Sequence, residues 1–149
     1  KYIKVQHTNM TQLQIIEQII GSLNTGYKFE YEESSMMNVK ADDYKRGDSF
    51  VYVEEFRQGR ITEGRYGGKS KEMKLQIYFC KFCELHNDAR QREKLREEIL
   101  EDIVYPFIDG YKKAGYGDVS EWGIYYPLPR FDGNEVSVML EFMAAMPVC

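Results

Sequence analysis

The sequence predicts an α+β fold in which a mostly antiparallel sheet is flanked by two helices. Three observations predict it. The chain has 149 residues, which suits one domain with a true hydrophobic core. Hydrophobic residues make up 43% and charged residues 30%, as in ordinary globular domains. Helical and alternating apolar patterns both occur, in the order helix, strand, strand, strand, helix, strand, strand. With no internal repeat and no linker, residues 1–149 are predicted to form a single domain.

Two segments have the apolar spacing of amphipathic helices. Apolar residues three and four positions apart predict a first helix over about residues 10–23. A second and longer helix is predicted over about residues 88–113. Its apolar stripe repeats every four residues, at Leu95, Ile99, Ile103, Phe107 and Tyr111. Pro106 interrupts this pattern, so a kink or break is expected near Tyr105.

Alternating patterns predict five strands. The first three cover about residues 27–31, 49–57 and 73–82, and two more cover about residues 121–128 and 135–145. The second and third strands carry apolar side chains on both faces, so they are expected to be covered on both sides or to pack against a neighbouring subunit. The chain has 12 Tyr and 8 Phe. Their distribution on both faces of several strands favours a chain that meets copies of itself.

A glycine-rich, basic hairpin arm is predicted at about residues 57–71. Its acidic residue is Glu63, and its cations are Arg57, Arg60, Arg65, Lys69 and Lys71, which gives net +4 in a chain of net −4. The glycines lack the spacing of a P-loop and precede a strand, so the arm is not a phosphate-cradling motif. Two interpretations remain open. The arm contacts a polyanion through its cations, or it is solvated or serves assembly, since long loops are commonly functional.

An acidic cluster lies on the predicted long helix and consists of Glu97, Glu98, Glu101 and Asp102. It is either a solvated helical face or an acidic surface that meets the basic arm of another copy. No nucleophile or base lies near it in sequence, and no catalytic signature occurs elsewhere in the chain. The sequence therefore predicts a protein that is not an enzyme and that uses no cofactor.

Cys80, Cys83 and His86 form a Cys-x-x-Cys-x-x-His string, which raises the question of a metal site. Side chains three apart on a strand point to opposite faces, which favours ordinary packing over metal binding. The odd count of three cysteines argues against a disulfide framework and favours a reducing compartment. A small intracellular metal-binding or nucleic-acid-binding domain stays as the alternative function. No stretch is long and apolar enough to predict a membrane partner.

The layout as a whole resembles a known family. The matching features are the N-terminal amphipathic helix, the hairpin of residues 49–82 with its long arm, the long helix, and the closing strand that contains Val136 to Phe142. This arrangement is similar to that of the tail-terminator (tail-completion) proteins at the head–tail junction of long-tailed bacteriophages.

The resemblance implies a structural virion protein that forms a homo-oligomeric ring, a hexamer by family analogy. Such a ring caps the tail tube and joins it to the head. The implied partners are tail-tube and head-completion proteins, with DNA passing through the lumen. The implied location is the neck of the virion, and the host cytoplasm during assembly. The arm cations, the acidic cluster and the doubly apolar strands are then the candidates for interface or lumen elements.

Overall fold

A computed structural model describes residues 10–32, 48–54, 59–82, 89–114, 119, 121–127 and 135–148. The helices are α1 (Gln12–Leu23), α2 (Ala89–Ile99) and α3 (Tyr105–Ala114), and a π-helical turn (Leu100–Val104) joins α2 to α3 in one continuous helix. The strands are β1 (Lys28–Glu32), β2 (Ser49–Glu54), β3 (Gly59–Glu63), β4 (Lys69–Phe82), β5 (Gly123–Tyr125) and β6 (Glu135–Val148). The predicted α+β class is confirmed.

The sheet is built around an antiparallel pair of long strands, β4 and β6, which stay in register from Lys69 opposite Val148 to Phe82 opposite Glu135. The strand order is β1-β2-β4-β6-β5, and β3 also pairs with β4. Because β6 occupies one edge of β4 along its whole length, β2 and β3 share the other edge. The pair β1–β2 is parallel. A parallel pair needs a connection of about a dozen residues or more, and in the sequence residues 33–48 separate β1 from β2.

The main core lies between one face of the sheet and the two helices. The apolar side chains that β6 turns to this face are almost fully buried, as its alternating pattern predicts. Ile15, Ile16, Ile19 and Ile20 of α1 pack into the same cluster, together with Phe107 of α3. Sheet residues in the cluster are Val51, Val53, Leu75, Ile77, Phe79, Val136, Val138, Leu140, Phe142 and Ala144.

The first helix begins two residues later than the apolar spacing predicts, because Thr11 caps it. The Thr11 hydroxyl accepts from the Gln14 backbone N–H at 3.2 Å, and the Gln14 side chain accepts from the Thr11 N–H at 2.9 Å. This reciprocal capping box satisfies two backbone donors that the first turn leaves free. The helix ends at Asn24, whose φ of 53° is the left-handed conformation of a helix C-cap.

The sequence predicts a kink or a break near Tyr105, and the long helix has an irregular turn there but no break. It continues through Pro106, and the irregularity is a π-helical turn over Leu100–Val104 directly before it. Proline has no N–H, and in a regular α-helix its ring collides with the carbonyl four residues earlier. A wider turn ahead of the ring relieves this conflict, and the Tyr105 N–H reaches back to the Leu100 carbonyl.

One predicted strand is shorter than expected, and one expectation about burial is confirmed. The strand predicted over residues 121–128 is reduced to Gly123–Tyr125, where β5 pairs with β6. Pro127 lies shortly beyond its end, and a proline cannot donate to the ladder. Strands β2 and β4 were expected to be covered on both sides or to pack against a neighbouring subunit, and the first alternative is confirmed. The apolar side chains of their second face are buried within the chain, with exposed fractions of at most 7%, at Phe50, Tyr52, Tyr78, Cys80 and Phe82.

The contact between α1 and α3 depends on a glycine. A Cβ atom on Gly110 would lie 3.0 Å from Ile19 Cγ2. We expect Gly110→Val to force the two helices apart and to lower the free energy of unfolding by about 1–3 kcal/mol. Gly21→Val, at a helical glycine with nothing within 4 Å, is the matched control. Chemical denaturation of both variants checks this, and equal effects of the two substitutions would contradict the tight contact.

Candidate assembly surface

The basic arm is an ordered β-ribbon. The segment that the sequence predicts as a glycine-rich connection forms β3, the turn at residues 64–68 and the start of β4, with Glu63 opposite Lys69. The Gly64 N–H donates to the Gly68 carbonyl at 2.7 Å, and the Gly67 N–H donates to the Gly64 carbonyl at 3.0 Å. Gly67 has a φ of +88°, which a residue with a side chain rarely adopts. Because β6 pairs with β4 as far as Lys69, the arm has three strands.

Ion pairs within the arm reduce its positive character. Arg60 donates to Glu72 Oε1 at 2.8 Å through Nε, and Lys69 lies 3.6 Å from Glu63. In the described part of the arm, Arg65 and Lys71 have no ion pair. Two unpaired cations are few beside the roughly 6–10 phosphate contacts that make nucleic-acid binding strongly salt-dependent. Arg57 lies outside the described residues.

The arm exposes two large hydrophobic side chains. Tyr66, at the turn, is 93% exposed, and Ile61, on β3, is 66% exposed. Tyr66 is the most exposed large hydrophobic side chain in the described part of the chain. Neither residue belongs to an alternating pattern, so the sequence pattern does not single them out. The signal that could have found Tyr66 is its place among the three turn glycines Gly64, Gly67 and Gly68, where no core can form.

A groove of about 390 Å³ opens on the side of the sheet where β5 meets β6. It is lined by Lys74, Glu121, Gly123, Tyr125, Glu141 and Met143. A Cβ atom on Gly123 would lie 3.1 Å from the Tyr125 ring. The glycine therefore lets this ring lie close against the strand. Tyr125 and Met143 are nevertheless about half exposed, at 49% and 46%. The sequence analysis did not identify this groove.

Hydrogen bonds fix the floor of the groove. Lys74 Nζ lies 3.0 Å from Glu141 Oε2, and Gln76 Nε2 donates to the same oxygen at 2.9 Å. Burial opposes ionisation of Glu141, but these two partners and Tyr125 outweigh it and hold its pKa below the usual range. Glu121, at the rim of the groove, has no ion pair within the described residues. The groove is therefore a preformed site with an acidic, uncompensated rim.

The acidic cluster is exposed on the continuous helix, with Glu97 and Glu98 on α2 and Glu101 and Asp102 on the π-helical turn. No ion pair joins any of the four to the arm within the described residues. Burial, and after it the nearby Asp102, raise the pKa of Tyr27 to about 12. Asp102 of the cluster therefore lies near Tyr27, the residue that directly precedes β1.

The Cys80 thiol is buried on the second face of the sheet, while Cys83 and His86 lie outside the described residues. The described residues contain no group of three or more His, Cys, Asp or Glu side chains that could hold a metal ion. The same residues include no helix that is both long and apolar enough to cross a bilayer.

Comparison with known proteins does not assign the chain to a family. A scan of the sequence against models of protein families gives no match, and a search of curated proteins gives no significant match.

Proposed function

We propose that this chain is a structural protein of a long-tailed bacteriophage, a tail terminator that forms a ring. The ring caps the tail tube and joins it to the head, so its partners are tail-tube and head-completion proteins, and DNA passes through its lumen. The protein resides in the neck of the virion and, during assembly, in the host cytoplasm. This role is mechanical and needs no catalytic group.

One observation carries the proposal: the ordered arm that ends in an exposed tyrosine. A hairpin that pairs with a further strand, here β6, is rigid before it meets a partner, so docking costs little conformational entropy. The arm offers Tyr66 at its tip and Ile61 on β3 to solvent, and aromatic side chains are enriched at protein interfaces. A rigid arm with exposed apolar groups is suited to contact with another protein.

The chain's surfaces are suited to a ring. The arm and the groove are both preformed, and they consist of different residues. A contact between two such surfaces that is not reciprocated between the same two chains is head-to-tail, and it closes into a ring when the rotation between neighbours allows it. The layout of helices and strands, which resembles that of tail terminators, supports the same assembly.

Imaging and mass measurement of the purified chain test the proposal. We expect light scattering and native mass spectrometry to give one closed oligomer, a hexamer by the family resemblance, and negative-stain electron microscopy to show rings with a central channel. Rings added to tubes assembled from the tail-tube protein of the same genome should bind the tube ends. A chain that stays monomeric at high concentration and does not bind tubes would contradict the proposal.

A further inference from the structure

We infer that the tip of the arm docks into the β5–β6 groove of a second copy of this chain, with Tyr66 seated against Tyr125 and Met143 and Arg65 paired with Glu121. The inference deepens the proposed function, on which it rests, because it names the contact that would join neighbours in the ring. It follows from three properties of the two surfaces: their reach, their chemistry and their rigidity.

The arm cannot reach the groove of its own chain. The tip begins at Lys69, and Lys74, the groove residue on β4, is five residues further along the strand. At about 3.3 Å per residue, the two points are roughly 16 Å apart along a paired strand. The ladder with β6 holds β4 extended over this distance. A contact between tip and groove therefore joins two different copies.

The chemistry of the two surfaces is complementary. The tip carries an exposed aromatic ring next to the unpaired cation Arg65, and the groove offers exposed apolar groups next to the unpaired anion Glu121. The groove volume of about 390 Å³ accommodates an aromatic side chain together with part of its neighbour. An aromatic anchor in a pocket with a charged pair at its rim is the usual anatomy of an interface hot spot.

The two surfaces are also organised in the single chain. The turn of the arm is closed by two backbone hydrogen bonds, and the groove floor is held by the bonds to Glu141. The other two charged residues of the groove, Lys74 and Glu141, form an ion pair with each other at 3.0 Å. Among the described residues that line the groove, Glu121 is therefore the anion available to a cation from another chain. Rigid, complementary partners associate without the cost of ordering either one.

Charge exchange tests the contact. We expect Arg65→Glu and Glu121→Arg each to raise the concentration needed for assembly at least tenfold, as measured by light scattering and native mass spectrometry. The double variant Arg65→Glu/Glu121→Arg restores opposite charges across the interface and should regain assembly. Arg90→Glu, an equal charge change at an exposed position on α2, is the matched control and should assemble like the unmodified chain. Circular dichroism checks that each variant is folded.

Mixing two defective chains gives a sharper result. Tyr66→Ser lacks the anchor of the tip but keeps its groove, and Glu121→Arg has a defective groove but keeps its tip. An equimolar mixture can form one intact contact per pair, so we expect a heterodimer and no larger species. Single variants that assemble normally, a double variant that stays dissociated, or a mixture without heterodimer would overturn the inference. If the unmodified ring persists in those cases, the proposed function stands; if the unmodified chain is monomeric, both fail.

Discussion

Substitution of Phe107 by alanine is expected to lower the free energy of unfolding by about 3–5 kcal/mol. The ring is fully buried, and its centroid lies 5.9 Å from that of Phe79 on β4 and 6.4 Å from that of Phe142 on β6. Phe107 therefore connects the helical layer to both central strands, and its removal leaves a cavity between rigid elements. For a chain of this size the midpoint of thermal unfolding should fall by roughly 6–20 °C.

Tyr105→Ala provides the control for this prediction. Tyr105 lies two residues earlier on the same helix, and its side chain is 42% exposed. Because the substitution removes an aromatic side chain without opening a closed cavity, we expect a much smaller loss. Chemical denaturation of both variants in parallel measures the difference. Equal losses would show that the helix is not anchored to the sheet through Phe107.

Local patterns were sufficient to predict the regular elements that face the core. The three- and four-residue spacing in α1 and the alternation in β6 each reflect burial of one face, and Val138 and Leu140 are fully buried as that alternation requires. Such a pattern shows that one face of the helix or strand packs on a core. It does not depend on which residues form the opposite side of that core. For that reason the α+β class followed from the sequence.

The candidate surface could not be predicted in the same way, because it is built from residues that contact no core. Strand β3 is exposed along nearly its whole length, so it has no hydrophobic alternation to detect. It exists because β4 offers it a free edge and because Arg60 meets Glu72, which is twelve residues away. The groove depends on the register that places Gly123 opposite Glu141, which is a long-range property of the sheet.

The large number of aromatic residues has a different explanation from the one that the sequence suggests. Phe50 and Tyr52 lie on the second face of β2, where the pattern predicts either cover within the chain or contact with a partner, and both are fully buried within the chain. The side chains left for a partner are instead those in turns and at the short edge strand, notably Tyr66 and Tyr125. Whether both faces of a strand are buried depends on the tertiary fold, and the apolar periodicity of a single strand does not reveal it.

Removal of a single buried hydroxyl is the second large effect that we expect. Tyr111 is 1% exposed, and its hydroxyl donates to Gln12 Oε1 at 3.0 Å, while Gln12 Nε2 is buried without a hydrogen bond. Tyr111→Phe keeps the ring contacts with Trp122 and Phe142 but leaves the Gln12 amide wholly unpaired. A buried polar group without a partner costs about 1–3 kcal/mol. Chemical denaturation near neutral pH measures this loss.

The same substitution should change how stability depends on alkaline pH. Burial raises the pKa of Tyr111 from 10.0 to about 12, and the Gln12 amide, which can turn its N–H toward the phenolate, opposes the rise. Folding therefore favours the neutral phenol. The contribution of this preference to the free energy of unfolding is complete below pH 10 and is lost as the pH rises from 10 to 12. Tyr111→Phe lacks this titration, so its deficit relative to the unmodified chain should shrink over that interval.

Tyr27 titrates in both proteins, because its pKa is also raised to about 12, and its effect cancels in the comparison. Tyr105→Phe, which removes a hydroxyl from a half-exposed ring, should cost less than about 0.5 kcal/mol near neutral pH. Denaturation curves at about pH 8 and about pH 11 measure whether the stability deficit of Tyr111→Phe shrinks as the pH rises. A deficit of Tyr111→Phe that stays constant between these pH values would mean that Tyr111 ionises alike in the folded and unfolded chains, and that its hydroxyl is not held in the buried contact with α1.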